Sequence, residues 1–145
     1  NIGAKIQKGI TALYADDKVS IKNKEVTSNI LKAIGEVMWV DNEEKMDAVT
    51  ALSGSGPAYV FMFISAFIEA GQKIGLTKSE AESLVYTTLH GSTLLSEDNL
   101  NDLDTLIKNV MKGSQTPLNH STKIVEMDVK KKAASADMYE GWPSK

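Results

Sequence analysis

The residues best suited to chemistry lie in one short segment, which reads Thr-Ala-Leu-Ser-Gly-Ser-Gly-Pro-Ala-Tyr from Thr50 to Tyr59. Four small residues in it precede a predicted helix: Ser53, Gly54, Ser55 and Gly56. Free N–H groups at a helix N-terminus, together with small hydroxyls, could surround an anion. The alternative is an ordinary interhelical turn with a serine cap. The segment is not a phosphate loop, because no Gly-Lys-Ser/Thr follows it.

Other reactive side chains are few. The hydroxyl of Thr50 could donate a hydrogen bond to a ligand, or bond back to a helix carbonyl. His90 and His120 are the only imidazoles, and neither has a carboxylate at a ligand-like spacing, so we expect no metal site. Because Gly91 follows His90, we expect that histidine at a helix end. No Ser, His and Asp grouping indicates a nucleophilic triad.

The composition excludes several classes of protein. Of the 145 residues, 42% are hydrophobic, which suits a packed core. The net charge is −3 and there is no basic stripe, so nucleic acid is not an expected partner. Cysteine is absent, which excludes disulfides, thiolate zinc sites and cysteine nucleophiles.

Compartment signals point to the cytoplasm. The charged residues Lys5, Lys8 and Asp16 are not typical of a signal peptide. The apolar run Pro57–Ile68 is shorter than the roughly 20 residues that span a bilayer, so we expect no membrane partner. Because the chain begins at Asn1 instead of Met, we expect a processed chain or a piece of a longer one.

The first forty or so residues alternate between strand and helix signals. We predict a strand over Ile10–Ala15, a helix through Val26 and Ile34 that Gly35 ends, and a second strand over Val37–Val40. Strand, helix and strand alone cannot bury their apolar surface. The pattern therefore predicts the end of an α/β unit whose remainder is absent.

Helix signals dominate after Asp41. Three cap positions predict where helices begin: Asp41 with Glu44, Thr77 with Glu80, and Asn101. The Ser-Gly segment is expected to break the first of these helices. A long helix then follows over Ala58–Lys73, with Gly75 as its C-cap.

The predicted helix Ala58–Lys73 carries more apolar side chains than a small bundle can cover. Burying one large apolar side chain contributes about 1.5–3 kcal/mol, so a row of them is not expected to stay in water. A second copy of the chain in a symmetric dimer would cover the row. The alternative is coverage by an N-terminal portion that this sequence does not contain.

These residues resemble a known family. Asp47–Tyr59, followed by Ala70-Gly71 and Gly75-Leu76, resembles the helical-domain signature of pyrroline-5-carboxylate reductase. Upstream, Gly9–Ala15 and Gly35–Val40 look like the last strands of that family's nucleotide-binding domain. The resemblance extends from residue 1 to about residue 110. It implies a mainly α fold, a helical dimerisation bundle (42–145) preceded by a short β-α-β remnant of a Rossmann domain (1–41).

The resemblance also implies an activity. The family reduces 1-pyrroline-5-carboxylate to proline with NADPH or NADH, acts as a homodimer or larger oligomer, and protonates the ring nitrogen while hydride reaches the C=N carbon. Thr50 is implied as proton donor or orienter, and Asn109 matches an asparagine near cofactor and substrate. Substrate binding is implied for Ser53, Gly54, Ser55, Gly56 and Thr116.

Two departures from the family matter. The glycine-rich dinucleotide fingerprint is absent, so we expect this chain alone to bind NADPH unproductively and to be inactive. The family's Ser-Pro-Gly-Gly loop is replaced by Lys112–Pro117, and residues 111–145 diverge from it. A divergent end, a frame change and a truncation with new sequence each explain that tail. Two other hypotheses are a non-catalytic oligomerisation module and another member of the β-hydroxyacid-dehydrogenase-like group.

Overall fold

The computed structural model describes residues 1–98 and 102–113 of the chain. Contacts within it define two compact units, the first over Asn1–Val60 and the second from Phe61 onward. A β-α-β arrangement comes first along the chain and long helices follow, which confirms the predicted mainly α fold. The predicted domain boundary between residues 41 and 42 stays a prediction.

The first unit is built around two parallel strands. Its elements are a 3-10 turn (Ile2–Ile6), β1 (Gly9–Leu13), α1 (Ile21–Leu31), a second 3-10 turn (Lys32–Ile34), β2 (Gly35–Trp39) and α2 (Lys45–Val49). The strands pair in register from Gly9 opposite Gly35 to Leu13 opposite Trp39. Parallel pairing requires a crossover between the strands, which α1 supplies. Both strands begin and end earlier than predicted.

Gly35 has a different role from the one predicted. The α-helix already ends at Leu31, and Gly35 instead follows the 3-10 turn and begins β2 with φ of 144°. A Cβ atom there would lie 1.9 Å from the main-chain oxygen of Gly9. Only glycine lets the two strands approach this closely while the backbone adopts that angle.

A polar contact fastens α1 to β2. The indole N–H of Trp39 donates to the Ser28 hydroxyl over 2.9 Å, and that hydroxyl donates to the main-chain oxygen of Lys24 over 2.9 Å. The ammonium group of Lys24 lies 5.5 Å from the Trp39 ring centroid, within cation–π range. The crossover helix is therefore held at the strand that it precedes.

The second unit contains most of α3 (Gly56–Lys73), and all of α4 (Lys78–Asp98) and α5 (Leu103–Gly113). Among the described residues of this unit, the buried apolar ones are Ala66, Ala70, Ala81 and Val85. A Cβ atom at Gly71 would lie 3.0 Å from the Cβ of Ala81. Small residues thus let α3 and α4 pack closely, but they bury little apolar surface.

The turn between α3 and α4 confirms two predictions. Gly75 adopts φ of 107°, and the N–H of Leu76 donates to the Gly71 oxygen over 3.1 Å, as at a glycine-capped helix end. The N–H of Thr77 donates to the Glu80 carboxylate over 2.8 Å, and the N–H of Glu80 donates to the Thr77 hydroxyl over 3.3 Å. The predicted capping box is present.

Two expectations about the later helices change. Asn101 lies outside the described residues, and the cap of α5 comes from Asp102, whose Oδ1 accepts the Thr105 N–H over 3.0 Å. His90 is not at a helix end, because α4 continues through Gly91 to Asp98. One glycine costs a helix only about 1 kcal/mol, which the helix-forming residues on both sides can offset.

Candidate functional site

The predicted break in the Ser-Gly segment is confined to a single residue, Ser55. Residues Thr50–Gly54 form a π-helical turn that joins α2, and only Ser55 lies in a bend before α3 begins. The N–H of Ser55 donates to the Thr50 oxygen over 3.1 Å, a bond across five residues. A π turn accommodates one extra residue per turn, and such turns are frequent at functional sites.

The helical course changes which backbone groups are available to a ligand. The N–H of Ser55 is bound to Thr50, and the N–H of Ala58 donates to the Ser55 oxygen over 3.0 Å. Pro57 has no N–H. The anion site envisaged from sequence therefore loses two of its expected donors. Gly56 stays accessible, since nothing beyond its chain neighbours and the backbone of its own helix lies within 4 Å of where its Cβ would be.

Two hydroxyls of the segment bond back to the preceding turn. Thr50 Oγ1 donates to the Met46 main-chain oxygen over 2.8 Å, and Ser53 Oγ donates to that of Val49 over 2.8 Å. Each hydroxyl proton is therefore already used in a hydrogen bond, but each oxygen keeps a lone pair that can accept a hydrogen bond from a ligand. Because Thr50 is exposed, its oxygen faces solvent as an acceptor.

A side chain at position 54 would come into van der Waals contact with Thr50. A Cβ atom at Gly54 would lie 3.4 Å from Thr50 Cγ2. Met46, whose main-chain oxygen holds the Thr50 hydroxyl, was not predicted as its partner. The four-residue spacing from Met46 to Thr50 is the signal that could have found it.

The predicted cap before this site is wrong. Asp41 does not cap α2, because its carboxylate lies 2.6 Å from the Lys45 ammonium group. That hydrogen bond, and then the charge of Lys45, hold the pKa of Asp41 below its ordinary value. Asn42 accepts instead: its Oδ1 receives the Glu44 N–H over 2.8 Å.

The remaining candidate residues lie elsewhere. Asn109 is exposed on α5, in the second unit, whereas Thr50 and Ser53–Gly56 belong to the first. Thr116 and His120 lie outside the described residues, and His90 is exposed on α4. Within residues 1–98 and 102–113, no three His, Cys, Asp or Glu side chains are grouped as metal ligands.

Among the described helices, α1, α3, α4 and α5 all expose large apolar side chains. On α3, Tyr59, Val60 and Phe61 are each more than half exposed. On α5, the exposed apolar residues Leu103, Ile107, Val110 and Met111 share one face, because they fall at offsets of 0, 4, 7 and 8 along the helix. The apolar surplus on α3 was predicted from the sequence. The one on α5 was not, although its apolar residues also recur at helical spacing in the sequence.

The apolar helix is longer than the sequence indicated. Through the π turn, helical structure continues from Lys45 to Lys73. An 18-residue stretch within it has a mean hydropathy of 1.5. By length and composition alone this stretch could cross a membrane. The prediction that the apolar run is too short to do so is therefore corrected. The expected absence of a membrane partner stays a prediction.

Comparison with known proteins identifies one group of relatives. A family model described as pyrroline-5-carboxylate reductase dimerisation matches residues 43–116. The pyrroline-5-carboxylate reductase of Pseudomonas aeruginosa is 40% identical over 96 residues, 66% of this chain and 35% of that protein. That of Haemophilus influenzae is 34% identical over 118 residues, 80% of this chain and 44% of that protein. The chain thus spans less than half the length of these relatives.

Solved structures agree with the sequence relatives. The Plasmodium falciparum pyrroline carboxylate reductase with NADP bound has a TM-score of 0.62 and 28% identity, over 92% of this chain and 58% of that one. The Coxiella burnetii pyrroline-5-carboxylate reductase has a TM-score of 0.64 and 28% identity, over 91% of this chain and 53% of that one. The described helices therefore follow a fold that both reductases contain.

Proposed function

The chain belongs to the pyrroline-5-carboxylate reductase family, and from this premise we propose that it is the helical, dimer-forming portion of an enzyme that reduces 1-pyrroline-5-carboxylate to L-proline. The observation that carries the proposal is the family match over residues 43–116, which spans every candidate site residue from Thr50 to Thr116. The 40% identity to the Pseudomonas aeruginosa reductase supports the same activity.

Thr50 would orient the ring nitrogen of the substrate. Its hydroxyl proton is donated to Met46, so in this rotamer Oγ1 acts as an acceptor. A protonated imine N–H is a donor that such an oxygen can hold, and protonation makes the C=N carbon a better hydride acceptor. Of the two roles expected from sequence, proton donor and orienter, the geometry favours the orienter.

The small residues beside Thr50 would receive the rest of the substrate. Gly54 and Gly56 allow the backbone to come close to a ligand, and Gly56 has open space where a side chain would stand. We assign Ser53 and Ser55, with Thr116, to the substrate, and Asn109 to the cofactor. These assignments rest on the family resemblance.

The cofactor would be NADPH or NADH, and the Plasmodium falciparum relative has NADP bound. The residues of this chain do not fit a dinucleotide by themselves. After β1 comes Tyr14-Ala15-Asp16-Asp17, with no glycine-rich turn where a dinucleotide fingerprint would begin a helix. We therefore propose that this chain is inactive alone and needs a dinucleotide-binding partner domain.

A second copy of the chain would cover the exposed apolar residues. The matched family model describes dimerisation, which indicates a homo-oligomer. The exposed faces of α3 and α5 both fall within the matched residues. Removing such faces from water is favourable in proportion to their apolar area. We propose a homodimer or larger oligomer in the cytoplasm; the cytoplasmic location is supported by the cysteine-free composition.

The second candidate function is a non-catalytic oligomerisation module. The exposed apolar faces of α3 and α5 favour it, because association needs only these helices. Catalysis would also need a bound dinucleotide, and no glycine-rich turn follows β1 to hold one. The two candidates differ in what a supplied dinucleotide-binding domain can restore.

Complementation separates the two functions. The chain is mixed with the portion of the Pseudomonas aeruginosa reductase that it does not match, and substrate-dependent NADPH oxidation is followed. We expect no turnover from either piece alone and measurable turnover from the mixture. The control is the mixture without 1-pyrroline-5-carboxylate. A complex that co-sediments but shows no turnover would favour the non-catalytic module.

A further inference from the structure

We draw no further inference here: the strongest candidate, the open groove between α3 and α4 that Phe61, Ile68 and Tyr86 line, carries nothing because nothing in the structure shows what covers it, beyond the second copy that the dimer-forming family already implies.

Discussion

Thr50 offers its chemistry through one oxygen atom whose own proton is bound to Met46. We expect Thr50→Val to lower kcat/KM in the complemented mixture by roughly 10- to 100-fold, the equivalent of losing a hydrogen bond of about 1.5–3 kcal/mol to a charged group. Thr50→Ser keeps the oxygen and is the matched control, for which we expect most of the activity. Equal losses in the two variants would contradict an orienting hydroxyl.

Glu80 supplies a residue-scale prediction about pH. The hydroxyl and then the N–H of Thr77 hold the pKa of Glu80 below its ordinary value of 4.5. A lowered pKa in the folded state means that the carboxylate stabilises the fold above its unfolded-state pKa, and that this contribution is lost as pH falls through the folded value. Thermal unfolding of the wild type and of Glu80→Gln should therefore differ at neutral pH and converge in acid.

The partner of Glu80 provides the control. Thr77→Val removes the donating hydroxyl and keeps the N–H, so we expect the pH-dependent gap between glutamate and glutamine at position 80 to shrink in that background. An unchanged gap would show that the capping contact does not cause the pH dependence.

Capping residues also show what the sequence could reveal at this scale. Thr77 and Glu80 were predictable because both partners lie within one turn and bond to each other reciprocally, while the nearby Lys78 ammonium pairs with Glu82. Asp41 carries the same signal, yet Lys45 lies one turn away and binds its carboxylate. A cap and an ion pair at that spacing cannot be ranked without the side-chain geometry.

At the scale of elements, two glycines at the ends of α3 should respond in opposite directions to alanine. Gly56 and Gly75 both have open space for a Cβ atom, but only Gly75 has a positive φ, 107°. We expect Gly56→Ala to stabilise the fold by about 0.4–1 kcal/mol through the unfolded state. Gly75→Ala should destabilise it by about 1–2 kcal/mol. Urea unfolding measures both, and a gain at Gly75 would contradict the assigned backbone.

The π turn marks the limit of prediction for elements. Two glycines and Pro57 within four residues ordinarily end a helix, and a break was predicted at the Ser-Gly segment. The structure keeps the chain helical because Ser55 reaches back five residues to Thr50. Periodicity alone does not distinguish a π turn from a break, since both shift the apolar pattern.

For the whole molecule, the composition predicted that the chain has more apolar side chains than its core can bury. It did not predict which of these side chains stay exposed. Residues 58–68 are apolar on nearly every side, so their excess over a small core was visible in the sequence. Ala66 and Ala81 are buried on α3 and α4, and Gly71 leaves room for Ala81 where the two helices meet. The large apolar side chains therefore remain exposed to solvent. Which side chains are exposed depends on how closely the two helices pack.

Association should therefore depend on the exposed face of α5. Ile107 lies at the centre of that face and is 56% exposed. Ile107→Lys would place a charge in any interface that the face forms. We expect the unmodified chain to sediment as a dimer or larger species at micromolar concentration and Ile107→Lys to shift it toward the monomer. Lys108→Gln, on the neighbouring exposed position of the same helix, is the matched control and should leave the sedimentation unchanged. A wild-type chain that sediments as a monomer would contradict the dimer, and an Ile107→Lys variant that stays dimeric would restrict the interface to α3.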